Sequence, residues 1–219
     1  MTKLRLQYQT IEFGETDIHL CTLRDKQQFD DPDDLAKDIG ISSAQWPLFG
    51  VIWPSSVILA ELVDDYHTED KRILEIGCGM ALPSLLLNSK AADITATDYH
   101  PETENFLERN ASLNGDETIP YERTGWADLD DELGIFDLII GSDILYEDEH
   151  AELLARFIND HAKPVCEVIL VDAGRGGMNK MIVAMVKLNY AAEVLNRPDE
   201  SAVTDNFKGR IVRFNREVA

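Results

Sequence analysis

The sequence predicts an α/β protein: an open, mostly parallel sheet with helices on both faces. From Ser56 onward, short apolar runs alternate with longer segments of helical spacing, the order that parallel strands joined by crossover helices require. The run Ile73-Leu74-Glu75-Ile76 passes directly into Gly77-Cys78-Gly79 and then into a segment able to start a helix. A buried strand entering a tight turn and a helix N-terminus reads this way. The tail departs from the alternation, with two β-like stretches, 190–196 and 209–215, joined by a polar loop.

The elements follow in order. Residues 8–23 alternate and contain Phe13-Gly14-Glu15-Thr16, which predicts a two-stranded hairpin. The polar stretch 24–45 has room for a short helix over 33–39. Residues 1–45 therefore form a hairpin and polar extension ahead of one compact unit, 46–219. Within that unit the periodicity predicts strands at Arg72–Ile76, 93–97, 119–124, Phe136–Ser142 and 168–172. Helices are predicted at 56–66, Leu82–Ser89, 101–113, 149–159 and 178–188, and Asn114-Gly115 reads as a helix end.

Composition narrows the function classes. A chain of 219 residues with 44% hydrophobic content suits one α/β domain. No apolar run reaches membrane-spanning length, and residues 1–8 lack a signal-peptide core. Three cysteines (Cys21, Cys78 and Cys166) stand far apart without metal-ligand spacing, which points to reduced thiols and the cytoplasm. With 41 acidic against 20 basic residues the net charge is −21. Such a field repels a phosphate backbone, so nucleic acid and membrane surfaces are not expected partners. It attracts a basic peptide, although solubility alone accounts for many acidic surfaces. The runs 30–34 and 128–132 lack the glycine and alternating oxygen ligands of a calcium loop.

The glycine turn is the strongest chemical signal. Gly77 and Gly79 let backbone N–H groups approach a ligand closely. A dinucleotide fingerprint needs a third glycine where Leu82 stands. Glu75, two residues before the turn, suits a ligand with a cationic end, such as the α-amino group of a methionine moiety. Asp98 closes the second predicted strand about 20 residues beyond the glycines, where a carboxylate meets ribose hydroxyls in βαβ nucleotide sites. A plain helix cap before Pro101-Glu102 is the alternative for Asp98.

Two further segments complete a pattern. Gly50-Val51-Ile52-Trp53-Pro54 precedes the acidic-x-Gly-x-Gly turn, and the fourth predicted strand ends in Ser142-Asp143-Ile144-Leu145-Tyr146. In this order they resemble methyltransferase family 16, the seven-strand protein-lysine methyltransferases and their relatives, over residues 46–173. The resemblance implies a Rossmann-like, seven-stranded class I fold whose last strands form an antiparallel hairpin. It implies S-adenosylmethionine as cofactor, leaving S-adenosylhomocysteine. Gly77, Cys78 and Gly79 would then lie against its methionine part, Asp98 and Tyr99 at its ribose, Trp126 near its adenine, and Trp53 and Ser142 along the pocket. Asp143 would position an amine and Tyr146 would wall the lysine stem. For Asp143 a helix cap, and for Trp126 ordinary packing, are the plain alternatives.

The reading this favours is methyl transfer to a side-chain nitrogen of a protein substrate, lysine before arginine or histidine. A small-molecule N-methyltransferase and a methyltransferase-fold binding module without turnover are the alternatives. His100 and His150 are expected to be packing or surface residues, and no metal site is expected. The loop Asp172-Ala173-Gly174-Arg175-Gly176-Gly177 reads either as a connection or as part of the acceptor pocket.

Overall fold

The fold comes from a computed structural model that describes residues 4–128, 131–145, 150–174, 176–196 and 207–216. The chain opens with a hairpin, β1 (Leu6–Phe13) and β2 (Thr16–Leu23), forming a two-stranded sheet of its own. The one-turn helix α1 (Leu35–Asp38) and a 3-10 turn (Trp46–Leu48) lead into α2 (Pro54–Asp64). Then come β3 (Arg72–Ile76), α3 (Leu82–Ser89), β4 (Asp93–Asp98), α4 (Thr103–Asn114), β5 (Tyr121–Arg123) and β6 (Phe136–Ser142). The chain continues through α5 (His150–His161), β7 (Ala162–Asp172), α6 (Met178–Lys187), β8 (Ala191–Leu195) and β9 (Arg210–Arg216).

The main sheet has seven strands in the order β5-β4-β3-β6-β7-β9-β8. The first five run parallel, and β9 pairs antiparallel with both β7 and β8. Alternation along β3 explains why both faces carry helices. Ile73 points into the core shared with α2, α3 and α4, while Leu74 and Ile76 point into the core shared with α5 and α6. A strand buried on both sides has no solvent-facing row, which is why Ile73, Leu74 and Ile76 are all aliphatic and Glu75 among them is buried.

The hairpin is fastened to this body. Phe13, Ile18 and Leu20 join the α2–α4 core. On the free edge of β2, the N–H groups of His19 and Cys21 donate to the side-chain oxygens of Asn114 and Asn110, both at 2.8 Å. Two asparagines one helical turn apart on α4 thus take the place of a third strand.

Most predicted elements appear within a residue or two. β7 is the main departure, starting at Ala162 instead of 168. Its early part, with Pro164, pairs through an irregular register between Phe136 and Leu138, and proline and polar residues hide such an extension from a periodicity reading. β5 spans three residues at the sheet edge instead of six. α1 is a single turn, held by the Asp31 carboxylate, which accepts N–H bonds from Ala36 and Lys37 at 3.1 and 3.0 Å.

Candidate active site

The strand order reverses between β3 and β6: the chain moves outward to β4 and β5, then returns to lay β6 against β3. Beyond the carboxyl ends of the strands at such a point an open α/β sheet has its ligand crevice. The loops there touch one another. Gly77 and Gly79 have φ of +60° and +52°, the left-handed region that glycine enters without strain. Space demands glycine as well. A Cβ on Gly77 would lie 2.6 Å from Ile144 Cγ2, and one on Gly79 would lie 3.1 Å from the Phe49 carbonyl oxygen.

Asp98 ties the turn to β4. Its Oδ2 accepts the Gly79 N–H and its Oδ1 the His100 N–H, both at 2.8 Å. It caps no helix, because α4 begins only at Thr103 with Glu102 at its cap. Burial pushes the Asp98 pKa up, against the backbone donors that favour its charged form. Each carboxylate oxygen offers two acceptor sites, so lone pairs remain for a ligand hydroxyl.

Glu75 is arranged differently from the expectation. The carboxyl expected to meet a cationic ligand end is 1% exposed and turned onto the first turn of α3. There its Oε2 accepts the Ser84 N–H at 2.9 Å and the Ser84 hydroxyl. Burial first, and the neighbouring Asp98 charge, push its pKa up to about 8, while the Ser84 bonds pull it down. In this arrangement Glu75 acts through the turn, by holding α3 against β3. Cys78 is also inward: its thiol is buried and held well above the usual thiol range by burial, and its N–H donates to the Thr97 carbonyl at 2.9 Å. Such a thiol is unreactive.

The remaining positions surround this centre. Tyr99 is exposed, donates its hydroxyl to the Ile39 carbonyl at 3.1 Å, and lies so close to Gly125 that a Cβ there would meet its ring at 3.1 Å. Trp126, next in sequence, is half-buried and packs against the α5/α6 core. Trp53 stands at the N-cap of α2, donates its indole N–H to the Leu48 carbonyl at 3.0 Å, and carries the Lys26 ammonium 3.7 Å above its ring. Ser142 ends β6 in register with Val171. Asp143 follows with φ of +59° and donates its N–H to the Val171 carbonyl at 2.8 Å. The helix-cap alternative for Asp143 turns on residues 146–149, which lie outside the described residues. Tyr146 lies outside the described residues.

Sequence reasoning overlooked two contributors. Ile144 fills the space against Gly77 and Gly141. Phe49 meets Gly79 with its carbonyl and stacks its ring on His100, with centroids 3.9 Å apart. Trp46 packs edge-on against both rings, and burial in this group lowers the His100 pKa to about 3. His100 is thus a neutral packing residue. No local pattern announces Phe49, whose role depends on a fold contact 30 residues away in sequence. A cleft of about 480 Å³ lies at the opposite, amino end of β3 and β4, lined by 68–72 and 90–93. It is remote from these loops.

A parallel core with a terminal antiparallel hairpin, and a glycine turn facing a strand-ending aspartate, define a Rossmann-like methyltransferase architecture. Comparison with known proteins agrees. The lysine methyltransferase family model, methyltransferase family 16, matches residues 39–188, and the chain belongs to that family. Over 118 residues it is 30% identical to the histone-arginine methyltransferase METTL23 of Xenopus laevis, covering 49% of this chain and 50% of that one. It is 26% identical over 166 residues to the calmodulin-lysine N-methyltransferase of Arabidopsis thaliana, covering 66% and 55%. With the protein N-lysine methyltransferase METTL21A of Danio rerio it shares 29% over 118 residues, covering 49% and 54%. The matched segments thus span about half of these relatives' own lengths. Among solved structures, a methyltransferase from Pyrococcus furiosus superposes with a TM-score of 0.60 at 19% identity, covering 75% of this chain and 83% of that one. The 16S rRNA N2 G1207 methyltransferase of Thermus thermophilus gives 0.63 at 13%, covering 98% and 51%. At these identities the structures speak to fold alone.

The residues present fit S-adenosylmethionine. Gly77 and Gly79 form a tight turn with no room for a Cβ, and Asp98 borders it with spare acceptor capacity for a diol.

Proposed function

We propose that this protein transfers a methyl group from S-adenosylmethionine to a side-chain nitrogen of another protein, with lysine as the favoured acceptor. The observation that carries the reading is the meeting of the Gly77–Gly79 turn, Asp98 and the Asp143-Ile144 loop at the strand-order reversal. Lysine is favoured by the family's description and by relatives named for lysine methylation. The relative named for histone arginine makes a guanidinium the second reading.

When bound, the cofactor supplies a methyl group activated on a sulfonium. The chain's own residues then have three tasks. Gly77, Cys78 and Gly79 present backbone at the methionine part, with Glu75 keeping the turn in place through Ser84. Asp98, beside Tyr99, accepts bonds from the ribose hydroxyls, and Trp53, Trp126 and Ser142 line the pocket. Asp143 orients the acceptor amine and receives its proton at the carboxylate. That last task is needed because a free lysine amine, with a pKa of about 10.4, arrives protonated. A desolvated site favours the neutral amine, and alignment does the rest. Tyr146 takes the stem-wall role that its motif implies.

The acceptor is proposed to be a basic protein segment, in keeping with the net charge of −21. The compartment is proposed to be the cytoplasm, supported by three buried free cysteines. Among the described residues no helix is long and apolar enough to cross a membrane. The test is transfer of labelled methyl from S-adenosylmethionine into a cell extract separated by size. Label in a discrete protein band, lost with Asp143→Ala, is expected. Label confined to small molecules, or no label at all, overturns the proposal in favour of a metabolite enzyme or a binding module respectively.

A further inference from the structure

One strand beyond Asp143, a second carboxylate stands at the same end of the sheet. Asp172 is the last residue of β7 and is only 2% exposed. β7 is the parallel neighbour of β6, with Ser142 in register with Val171. The Asp143 N–H donates to the Val171 carbonyl at 2.8 Å, so the backbones at Asp143 and Asp172 run side by side. Neighbouring strands lie about 4.8 Å apart.

The two oxygens of Asp172 are used unequally. Oδ2 accepts the Gly174 N–H at 2.8 Å, closing the turn that follows the strand. Oδ1 is buried and has no hydrogen-bond partner among the described residues. Its cross-strand neighbour Arg210 donates its guanidinium to Asn179 Oδ1 at 2.9 Å instead. A buried carboxylate oxygen left bare is costly, and in a native structure it calls for an explanation, of which a functional role is one. The turn explains Oδ2 and leaves Oδ1 unexplained.

We infer that Asp172 is a second acceptor-pocket carboxylate, whose Oδ1 holds the cationic nitrogen of the incoming side chain beside Asp143. The inference rests on the methyl-transfer reading and adds the chemistry of its acceptor: a primary ammonium or guanidinium, brought in as the cation. Two carboxylates at adjacent strand ends receive the incoming side chain as a cation, and the amine becomes neutral only once its proton has passed to Asp143. Asp172 binds the acceptor, while Asp143 orients it for transfer.

Calorimetry separates the inference from the reading beneath it. Two ligands are compared: S-adenosylhomocysteine, and a bisubstrate analogue in which nitrogen replaces the sulfur and an aminoalkyl arm replaces the methyl. The variant is Asp172→Asn, which keeps an acceptor for the Gly174 N–H. Asp172→Asn should leave S-adenosylhomocysteine affinity unchanged and weaken the cationic analogue about tenfold, the loss of one charge-assisted bond. A neutral control with a propyl arm should bind the wild type and the variant equally. Equal affinity of both forms for the cationic analogue overturns the inference and leaves the cofactor site standing. Equal loss for both ligands also overturns it, because it marks Asp172 as a structural residue. Failure of S-adenosylhomocysteine to bind the wild type instead removes the underlying reading.

Discussion

At the scale of single residues, the turn after β3 is where conformation and contact make the same demand. Gly77→Ala forces a side chain into the left-handed region and against Ile144 Cγ2. The conformational part alone costs about 1–2 kcal/mol. Thermal melting should therefore fall by several degrees, and cofactor affinity should fall with it. Asp98→Ala removes an acceptor from two backbone donors at once. Loss of such charged hydrogen bonds is worth about 1.5–3 kcal/mol each. Calorimetry with S-adenosylhomocysteine should show at least a tenfold weaker Kd, and unchanged affinity would remove Asp98 from the ribose site. Glu75 gives a pH signature. Its folded pKa of about 8 lies above the ordinary 4.5, so the folded protein retains a proton that the unfolded chain releases between those values. Stability therefore falls as pH rises through that window and levels off above it, by a few kcal/mol at most. Urea midpoints should drop between roughly pH 5 and pH 9 in the wild type, and Glu75→Gln should flatten the curve.

At the scale of elements, the attachment of the hairpin is the sharpest test. Asn110 is fully buried and accepts the Cys21 N–H, so Asn110→Ala strands a donor on β2. An unsatisfied buried donor costs about 1–3 kcal/mol, and amide exchange at Cys21 should quicken more than exchange in β3. Here the limits of sequence reading also become clear. β3, α3 and β6 were legible to the residue because each is buried on the period its structure demands. The start of β7 was not, since Lys163 and Pro164 look like a loop until Phe136 of β6 pairs with Ala162. Site residues divide in the same way. Gly77, Gly79, Asp98 and Asp143 carry their signal in local spacing. Phe49, Ile144 and Asp172 matter through contacts that only the folded sheet creates. Glu75 was found by its spacing, but the direction of its side chain was not, because its partner Ser84 sits on α3.

At the scale of the whole molecule, charge dominates. A net charge of −21 on 219 residues repels itself, and this repulsion is relieved as salt shortens the Debye length from about 30 Å at 0.01 M to 8 Å at 0.15 M. The melting temperature should rise over that range. Association with a basic acceptor should weaken over the same range, mainly through a slower on-rate. A melting temperature indifferent to salt would show that the acidic groups are too dispersed to interact.

The asparagine pair on α4 sets an order of events for the newborn chain. β2 is made early, but the groups that occupy its free edge, Asn110 and Asn114, are made nearly a hundred residues later. At ribosomal speeds of about 5–20 residues per second, the hairpin waits for seconds with an open edge. The Phe49 carbonyl, likewise, has no Gly79 to rest on until the glycine turn has emerged. The hairpin is thus made before its supports and seated late, and the cofactor pocket comes into being only as the later strands reach back to it.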